Sequence, residues 1–308
     1  MRELIKKESL EARFINGVYF KELILVFKKI CLTKSKSFSI RDKYILGTYF
    51  LGNQFAANKL YSYLRKKYKE KEYFNFNGIL FPDFSSLQYK NDFLVSWLEI
   101  IYPYLYNEYI YFFGEGPYLY KNIQIKKNDI VIDAGANLGL FSALASFLGG
   151  VVYAFEPVKK IRKDYLEQAV KLNKNIFPVF YGLSNKKESI KIIGGSIVGA
   201  TIMKEKQKNL KSCIINEYIQ VTTLDKWVKE NNVPRVDFIK ADIEGAERLM
   251  LEGAQWVLKT FSPQLSICTY HLPDDKEVLS KLILQANPSY KIIYKPKKIY
   301  AFVKRQTS

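Results

Sequence analysis

The sequence predicts an α/β fold: a mostly parallel sheet with helices on both faces, preceded by a mainly helical extension. Three observations predict it. From Asn128 onward, short β-branched runs alternate with segments of helical period. The first two of those runs end in Asp133-Ala134-Gly135-Ala136-Asn137-Leu138-Gly139 and in Ala154-Phe155-Glu156-Pro157, turns suited to the carboxyl edge of a parallel sheet. Upstream of about residue 115 the chain is instead lysine- and aromatic-rich, with helical spacing.

Taken in order, Phe20, Leu23, Ile24, Phe27 and Cys31 mark one face of a helix, a second helix runs from about Ile40 to Lys71 behind Ser39 as cap, and a third holds Phe93 to Tyr106. Ile130-Val131-Ile132 is a buried strand and Leu138 to Leu148 a mostly apolar helix ending at Gly149-Gly150. Val151 to Phe155 is a strand, Val158 to Leu172 an amphipathic helix, and Phe177 to Leu183 a third strand. Between Ser189 and Val221 the glycines suggest strands and a loop, and a short helix follows at Leu224 to Lys229. Val236 to Ala241, Ala246 to Leu258, Leu265 to Tyr270 and Lys276 to Gln285 continue the strand–helix alternation, and Tyr290 to Tyr294 with Ile299 to Val303 close it as a hairpin. These patterns divide the chain into a basic N-terminal extension, 1–114, and an α/β domain, 115–308.

The 308 residues carry 48% hydrophobic and 25% charged side chains, which excludes a disordered, collagen-like or disulfide-scaffold chain. The formal net charge of +18 attracts anionic partners, but only eight of the 48 basic residues are arginine, the side chain that reads guanine or clamps phosphate bidentately. Much of the excess lies in residues 1–71, which makes this region a candidate contact for an anionic membrane face or a lipid-linked substrate. Cys31, Cys213 and Cys268 offer neither a zinc spacing nor a disulfide framework, consistent with reduced thiols in the cytoplasm. The N-terminus lacks the apolar core of a signal peptide, and the greasiest stretch, Trp97 to Phe113, is broken by Glu99, Pro103, Asn107 and Glu108 and is no membrane span.

The first loop is not the G-x-G-x-x-G dinucleotide fingerprint, because Asn137 stands where the second glycine belongs. Asp133 opens the loop, where a carboxylate repels a pyrophosphate but suits an ammonium or a sulfonium. That chemistry favours S-adenosylmethionine over NAD and disfavours a nicotinamide oxidoreductase. Glu156, 23 residues later at the end of the second strand, stands where a carboxylate grips a ribose diol.

With Thr223-Leu224-Asp225 and Lys240-Ala241-Asp242-Ile243-Glu244-Gly245-Ala246-Glu247 added, four ordered motifs make the chain resemble the FkbM family of S-adenosylmethionine-dependent methyltransferases over about Glu115 to Val303. The resemblance implies a Rossmann-like methyltransferase fold, a mostly parallel seven-stranded sheet whose last strand runs antiparallel. It implies O-methylation of a hydroxyl, often on a sugar or natural product, with Asp133, Gly135, Asn137, Gly139 and Glu156 lining the cofactor. A bacterial surface glycan or lipid-linked sugar is the first expectation for the acceptor.

On the acceptor side, Asp242 follows the fourth strand and is the first choice to orient the hydroxyl or act as general base. Lys240, Asp242 and Glu244 share one side if the chain stays extended. Glu244 is a catalytic candidate, and Asp242 and Glu244, or Glu244 and Glu247, are candidates for a divalent cation. Glu247 equally suits the first turn of a helix. His271, the one histidine, ends the fifth strand and is a candidate general base. Gly194 to Ile202 is the candidate acceptor loop or lid. The rivals are a nucleic-acid methyltransferase and a non-catalytic cofactor-binding protein. Asp242-Ile243-Glu244-Gly245 lacks the Asn/Asp-Pro-Pro-aromatic motif of enzymes that methylate base amino groups, and no RNA-binding signature is present, which makes nucleic acid the weaker choice.

Overall fold

A computed structural model of the chain describes residues 54–83, 90–106, 117–194, 200–201 and 215–304. The chain divides into two compact units, 1–76 with 83–114 and 77–82 with 115–308. The helix expected around Phe20 to Cys31, the first part of the Ile40 to Lys71 helix, Cys31, Cys213 and most of the expected Gly194 to Ile202 loop lie outside the described residues.

In the first unit, helix α1 (Gln54–Tyr68) leads into β1 (Lys69–Glu70), which pairs antiparallel with β2 (Tyr73–Phe76). Further on, α2 (Lys90–Ser96), a π-helical turn (Trp97–Ile101) and α3 (Tyr102–Tyr106) run on from one another. The core here is aromatic. Phe74 stacks on Phe76 and Phe93 with ring centroids 5.2 and 5.3 Å apart, and Tyr61 meets Phe74 and Phe93 edge-on. Asp83, its side chain 1% exposed, accepts from Tyr61 Oη at 2.6 Å and pairs with Arg65 at 3.1 Å, so the buried charge is compensated. The helical period read for Ile40 to Lys71 passes over β1, and the helix ends at Tyr68. Asn77 and Gly78 both take positive φ, 54° and 102°, and Asn-Gly is the strongest short signal for such a turn.

The second unit opens with β3 (Ile79–Pro82) and continues with β4 (Ile130–Ala134), α4 (Leu140–Phe147), β5 (Val151–Phe155) and a helical run ending in α5 (Glu167–Leu172). It goes on through β6 (Ile176–Val179), β7 (Gly182–Leu183), β8 (Glu188–Gly194), β9 (Ala200–Thr201), β10 (Ile215–Thr222), α6 (Leu224–Glu230) and β11 (Phe238–Ala241). Helices α7 (Glu247–Glu252) and α8 (Gln255–Phe261), strand β12 (Gln264–Cys268), α9 (Asp275–Ala286), β13 (Lys291–Tyr294) and β14 (Lys298–Phe302) complete it.

Seven of these strands form one sheet in the order β13-β14-β12-β11-β4-β5-β6. All are mutually parallel except β14, the last in sequence, which is inserted antiparallel between β12 and β13. The order reverses between β4 and β11, so the carboxyl ends of these two neighbours open a crevice where ligands of such sheets bind. Alternation along each strand divides the residues between two faces. Ile130, Ile132, Ala134, Ile239, Ala241, Leu265, Ile267, Ile299 and Ala301 belong to one buried cluster with Trp227, Met250, Val257, Leu279 and Ile283. The intervening positions Asp133, Lys240, Ser266 and Lys298 lie on the opposite face and are buried as well.

Two details depart from the sequence reading. The expected third strand is split: β6 joins the large sheet, whereas β7 pairs with β10 in a separate four-stranded sheet, order β7-β10-β8-β9. The helix expected from Ala246 to Leu258 is broken at Gly253, where a Cβ would stand 2.1 Å from Ser184 O and where the carbonyl accepts from Asp225 N at 3.0 Å. Asp225 also explains the Thr223-Leu224-Asp225 motif. Its two carboxylate oxygens accept from Trp256 N and Val257 N, both at 2.9 Å, and so cap the start of α8.

Candidate active site

The loop after β4 is shaped by contacts that exclude larger side chains. Gly135 takes φ 75°, and a Cβ there would lie 2.1 Å from Asp242 O. Gly139 takes φ 90° and packs on Leu166 and Ala169. Asn137 is also left-handed, at φ 49°, a region that asparagine tolerates better than most residues. Gly135 N and Ala136 N both donate to Phe155 O, tying the loop to the end of β5. Glu156 completes that tie: Oε2 accepts from Asn137 N at 3.1 Å and Oε1 from Val158 N at 2.9 Å. Burial raises its carboxyl to about 7, although the two backbone donors favour the charged form. Asn137 Oδ1 is buried and makes no hydrogen bond.

Asp133 lies beneath this loop. It is fully buried, accepts from Ser142 Oγ at 2.6 Å and pairs with Lys240 Nζ at 3.0 Å. Lys240 is its register partner on β11, and the same ammonium donates to Gly135 O at 2.6 Å and Ala134 O at 3.2 Å. The pair therefore braces the loop backbone, and the charge of Asp133 is already met from below. Its expected direct attraction for a cationic cofactor is accordingly amended. Lys240 finds its carboxylate across the strands, because the chain does not stay extended past Ala241 and Glu244 turns left-handed at φ 56°.

At the ends of β11 and β12, Asp242, Glu244, Glu247 and His271 come together. Asp242 Oδ2 accepts from Tyr118 Oη at 2.9 Å and Oδ1 from Tyr270 Oη at 3.2 Å. His271 Nε2 lies 3.6 Å from Asp242 Oδ1 and 3.7 Å from Glu244 Oε2, while Nδ1 lies 3.0 Å from Glu247 Oε1. Glu247 is wholly buried and accepts from Ile243 N at 2.8 Å and Gly245 N at 2.9 Å. The helix-terminus reading of Glu247 is thus right as to place, but the same carboxylate also anchors the histidine. Burial alone would push the His271 imidazole down. The Glu247 carboxylate, which faces Nδ1 as an acceptor, and the charges of Asp242 and Glu244 outweigh it and raise the ring to about 9.

Two features escaped sequence reasoning. Tyr118 precedes the first strand and belongs to no motif, yet Lys298 Nζ sits 3.3 Å from the centre of its ring and its hydroxyl reaches Asp242. Tyr270 adjoins His271 at the end of the fifth strand, and that position was the available signal for it. No helix among the described residues is long and apolar enough to cross a membrane.

This strand order, a glycine loop at the first strand and an acid at the end of the second define a Rossmann-like, methyltransferase-type fold. The model of the Methyltransferase FkbM domain matches residues 133–300, and the chain belongs to the FkbM methyltransferase family. The chain is 25% identical over 169 residues to the hexuronic acid methyltransferase AglP of Haloferax volcanii, a match covering 55% of this chain and 67% of that protein. Among solved structures it is similar to a methyltransferase FkbM of Methylobacillus flagellatus (19% identity, 79% of this chain and 58% of that one, TM-score 0.46). It is also similar to an rRNA methylase of Streptococcus thermophilus (16%, 59% and 90%, TM-score 0.37).

Proposed function

We propose that the chain is an S-adenosylmethionine-dependent O-methyltransferase whose acceptor is a hydroxyl of a sugar or glycan. The observation that carries the reading is the bond from Asn137 N to Glu156 Oε2, which joins the glycine loop and the second-strand acid into one cradle at the carboxyl edge of the sheet. The residues fit the cofactor. Asn137 Oδ1 is a buried acceptor in need of a donor, and Gly135 and Gly139 leave backbone where side chains would stand. Glu156 accepts a single backbone bond on each oxygen and keeps lone pairs for two ribose hydroxyls. When bound, S-adenosylmethionine supplies an activated methyl group on a sulfonium.

The protein's task is then to align an acceptor oxygen with that methyl and to exclude water. Asp242 stands one residue past β11, where its carbonyl would collide with any Cβ at Gly135, so cofactor loop and acceptor carboxylate share one backbone contact. We assign Asp242 the orientation of the hydroxyl and receipt of its proton as the carbon–oxygen bond forms and the carbon–sulfur bond breaks. His271 faces the carboxylates of Asp242, Glu244 and Glu247 through both ring nitrogens, which makes it the poorer base. The acid-lined rim suits a neutral hydroxyl. The relative that acts on hexuronic acid supports a sugar-type acceptor.

The test is release of S-adenosylhomocysteine on a panel of neutral sugars, uronic acids, sugar nucleotides and RNA. A sugar hydroxyl as the methylated group is the expected result. Turnover on RNA alone would replace this reading with a nucleic-acid methyltransferase.

A further inference from the structure

The rim at the ends of β11 and β12 gathers three carboxylates around one imidazole, an excess of negative charge in a half-buried place. We propose that His271 Nε2, Asp242 Oδ1 and Glu244 Oε2 bind one divalent cation, with Glu247 as the partner that orients the ring from behind. The proposal deepens the functional reading above and rests on it for the use of the ion, though not for its binding.

Asp242, Glu247 and His271 have ligand atoms within 4.8 Å of one another, and Glu244 Oε2 lies 3.7 Å from the ring. A single ion cannot take both nitrogens of one ring, and the two nitrogens face different groups. Nδ1 looks at Glu247 Oε1, 3.0 Å away, and Glu247 is already committed to Ile243 N and Gly245 N. Nε2 looks at Asp242 Oδ1 and Glu244 Oε2, at 3.6 and 3.7 Å. Metal–ligand bonds of about 2.1 Å put neighbouring ligands of an octahedral ion roughly 3 Å apart, so Nε2 would draw nearer to each of the two oxygens by several tenths of an ångström. The His271 side chain is only 2% exposed and neither ring nitrogen makes a hydrogen bond, although Nε2 points at two carboxylates and Nδ1 at a third. A buried ring nitrogen in that state is suited to a ligand. The carboxylate behind Nδ1 reproduces the carboxylate–histidine–metal arrangement, which fixes the tautomer and raises the basicity of the ligating nitrogen.

One imidazole nitrogen with two carboxylate oxygens favours a borderline divalent ion, Mn²⁺ or its neighbours, over Ca²⁺ or Mg²⁺. Three ligands leave positions for water and for the acceptor. An acceptor hydroxyl bound there would give up its proton to the Asp242 carboxylate more easily and would be fixed beside the methyl donor.

The test uses the full chain, freed of metal with EDTA and titrated with Mn²⁺ while the spectrum of the free ion is followed by electron paramagnetic resonance. One ion per chain is expected, with a nitrogen coupling on the bound ion from imidazole. His271→Ala is expected to abolish that coupling and to weaken Mn²⁺ at least tenfold. Glu244→Gln, on a partly exposed side chain, should weaken it by a similar factor with unchanged circular dichroism. Mn²⁺ affinity equal in wild type and both variants, or a bound ion without nitrogen coupling, would overturn the site. Full methyl transfer in EDTA would overturn its catalytic use and leave the proposed function standing. Mn²⁺ binding as expected with no affinity for S-adenosylmethionine would support the site and contradict the proposed function.

Discussion

At the residue scale, Glu156 is buried beside a loop that brings it only backbone donors, and this makes its charge state sensitive to pH. Folding raises its carboxyl from an ordinary value of 4.5 to about 7, so the folded chain holds the proton more tightly than the unfolded one. Its contribution to stability is therefore fully present below about pH 4.5 and is lost as pH rises through about 7. Thermal unfolding of the ligand-free protein should show a decline between pH 5 and 8 that is smaller in Glu156→Ala. A cationic cofactor favours the ionised carboxylate, so S-adenosylmethionine affinity should rise from pH 6 to 8 in the wild type and stay flat in Glu156→Ala. Equal slopes in the two proteins would show that another group titrates. Asp242 makes a different expectation. Asp242→Asn should lower turnover by at least a hundredfold with less than a threefold change in cofactor affinity, as measured by steady-state kinetics and calorimetry. A loss confined to cofactor affinity would remove it from the acceptor side. Position in the sequence located both residues, because each ends a strand. The partners of Asp133 were not legible in the same way, since neither the register that brings Lys240 beside it nor the serine on α4 can be read from local pattern.

At the element scale, the turns carry more of the specification than the helices they join. Gly135→Ala combines a left-handed φ with a Cβ 2.1 Å from a backbone oxygen, a contact that side-chain rearrangement cannot relieve. It should destabilise the protein by more than about 2 kcal/mol in denaturant unfolding and weaken cofactor binding as well. Stability within about 0.5 kcal/mol of wild type would mean that the loop has room to move. Asp225→Ala removes the carboxylate that accepts from Trp256 N and Val257 N, and loss of a cap of this kind costs about 0.5–2 kcal/mol. Its effect should fall on stability and leave turnover per folded molecule unchanged. Helical period alone could not show that α7 and α8 are separate. Apolar positions continue in register through Gly253, and the break comes from close packing on Ser184, a residue distant in sequence. The strand pair β1–β2 was missed for the opposite reason: the helical pattern runs on to Lys71, and the turn at Lys71-Glu72 that joins the two strands contains no glycine, proline or asparagine to mark it.

At the scale of the whole molecule, the strand–helix alternation fixes a parallel sheet and leaves few ways to close it. The antiparallel insertion of β14 was expected from the family resemblance, since a terminal hairpin pattern alone does not say where in the sheet it enters. The two faces of the sheet are unequal. One carries the apolar cluster around Trp227 and Met250, and the other buries Asp133, Lys240 and Lys298. A buried ion pair is costly to break from one side, so Lys240→Met should destabilise by about 3–5 kcal/mol because it strands Asp133. Asp133→Asn in the same chain should recover a good part of that loss in a double-mutant cycle. Additive effects would mean that the two charges do not sense each other. The central claim is that the crevice between β4, β5 and β11 is built for a sulfonium-bearing nucleoside. Calorimetric titration with S-adenosylmethionine tests it most directly. One site per chain is expected, with affinity at least tenfold weaker in a folded Glu156→Ala variant. Absence of binding to the wild type, or equal affinity in the two proteins, would contradict it.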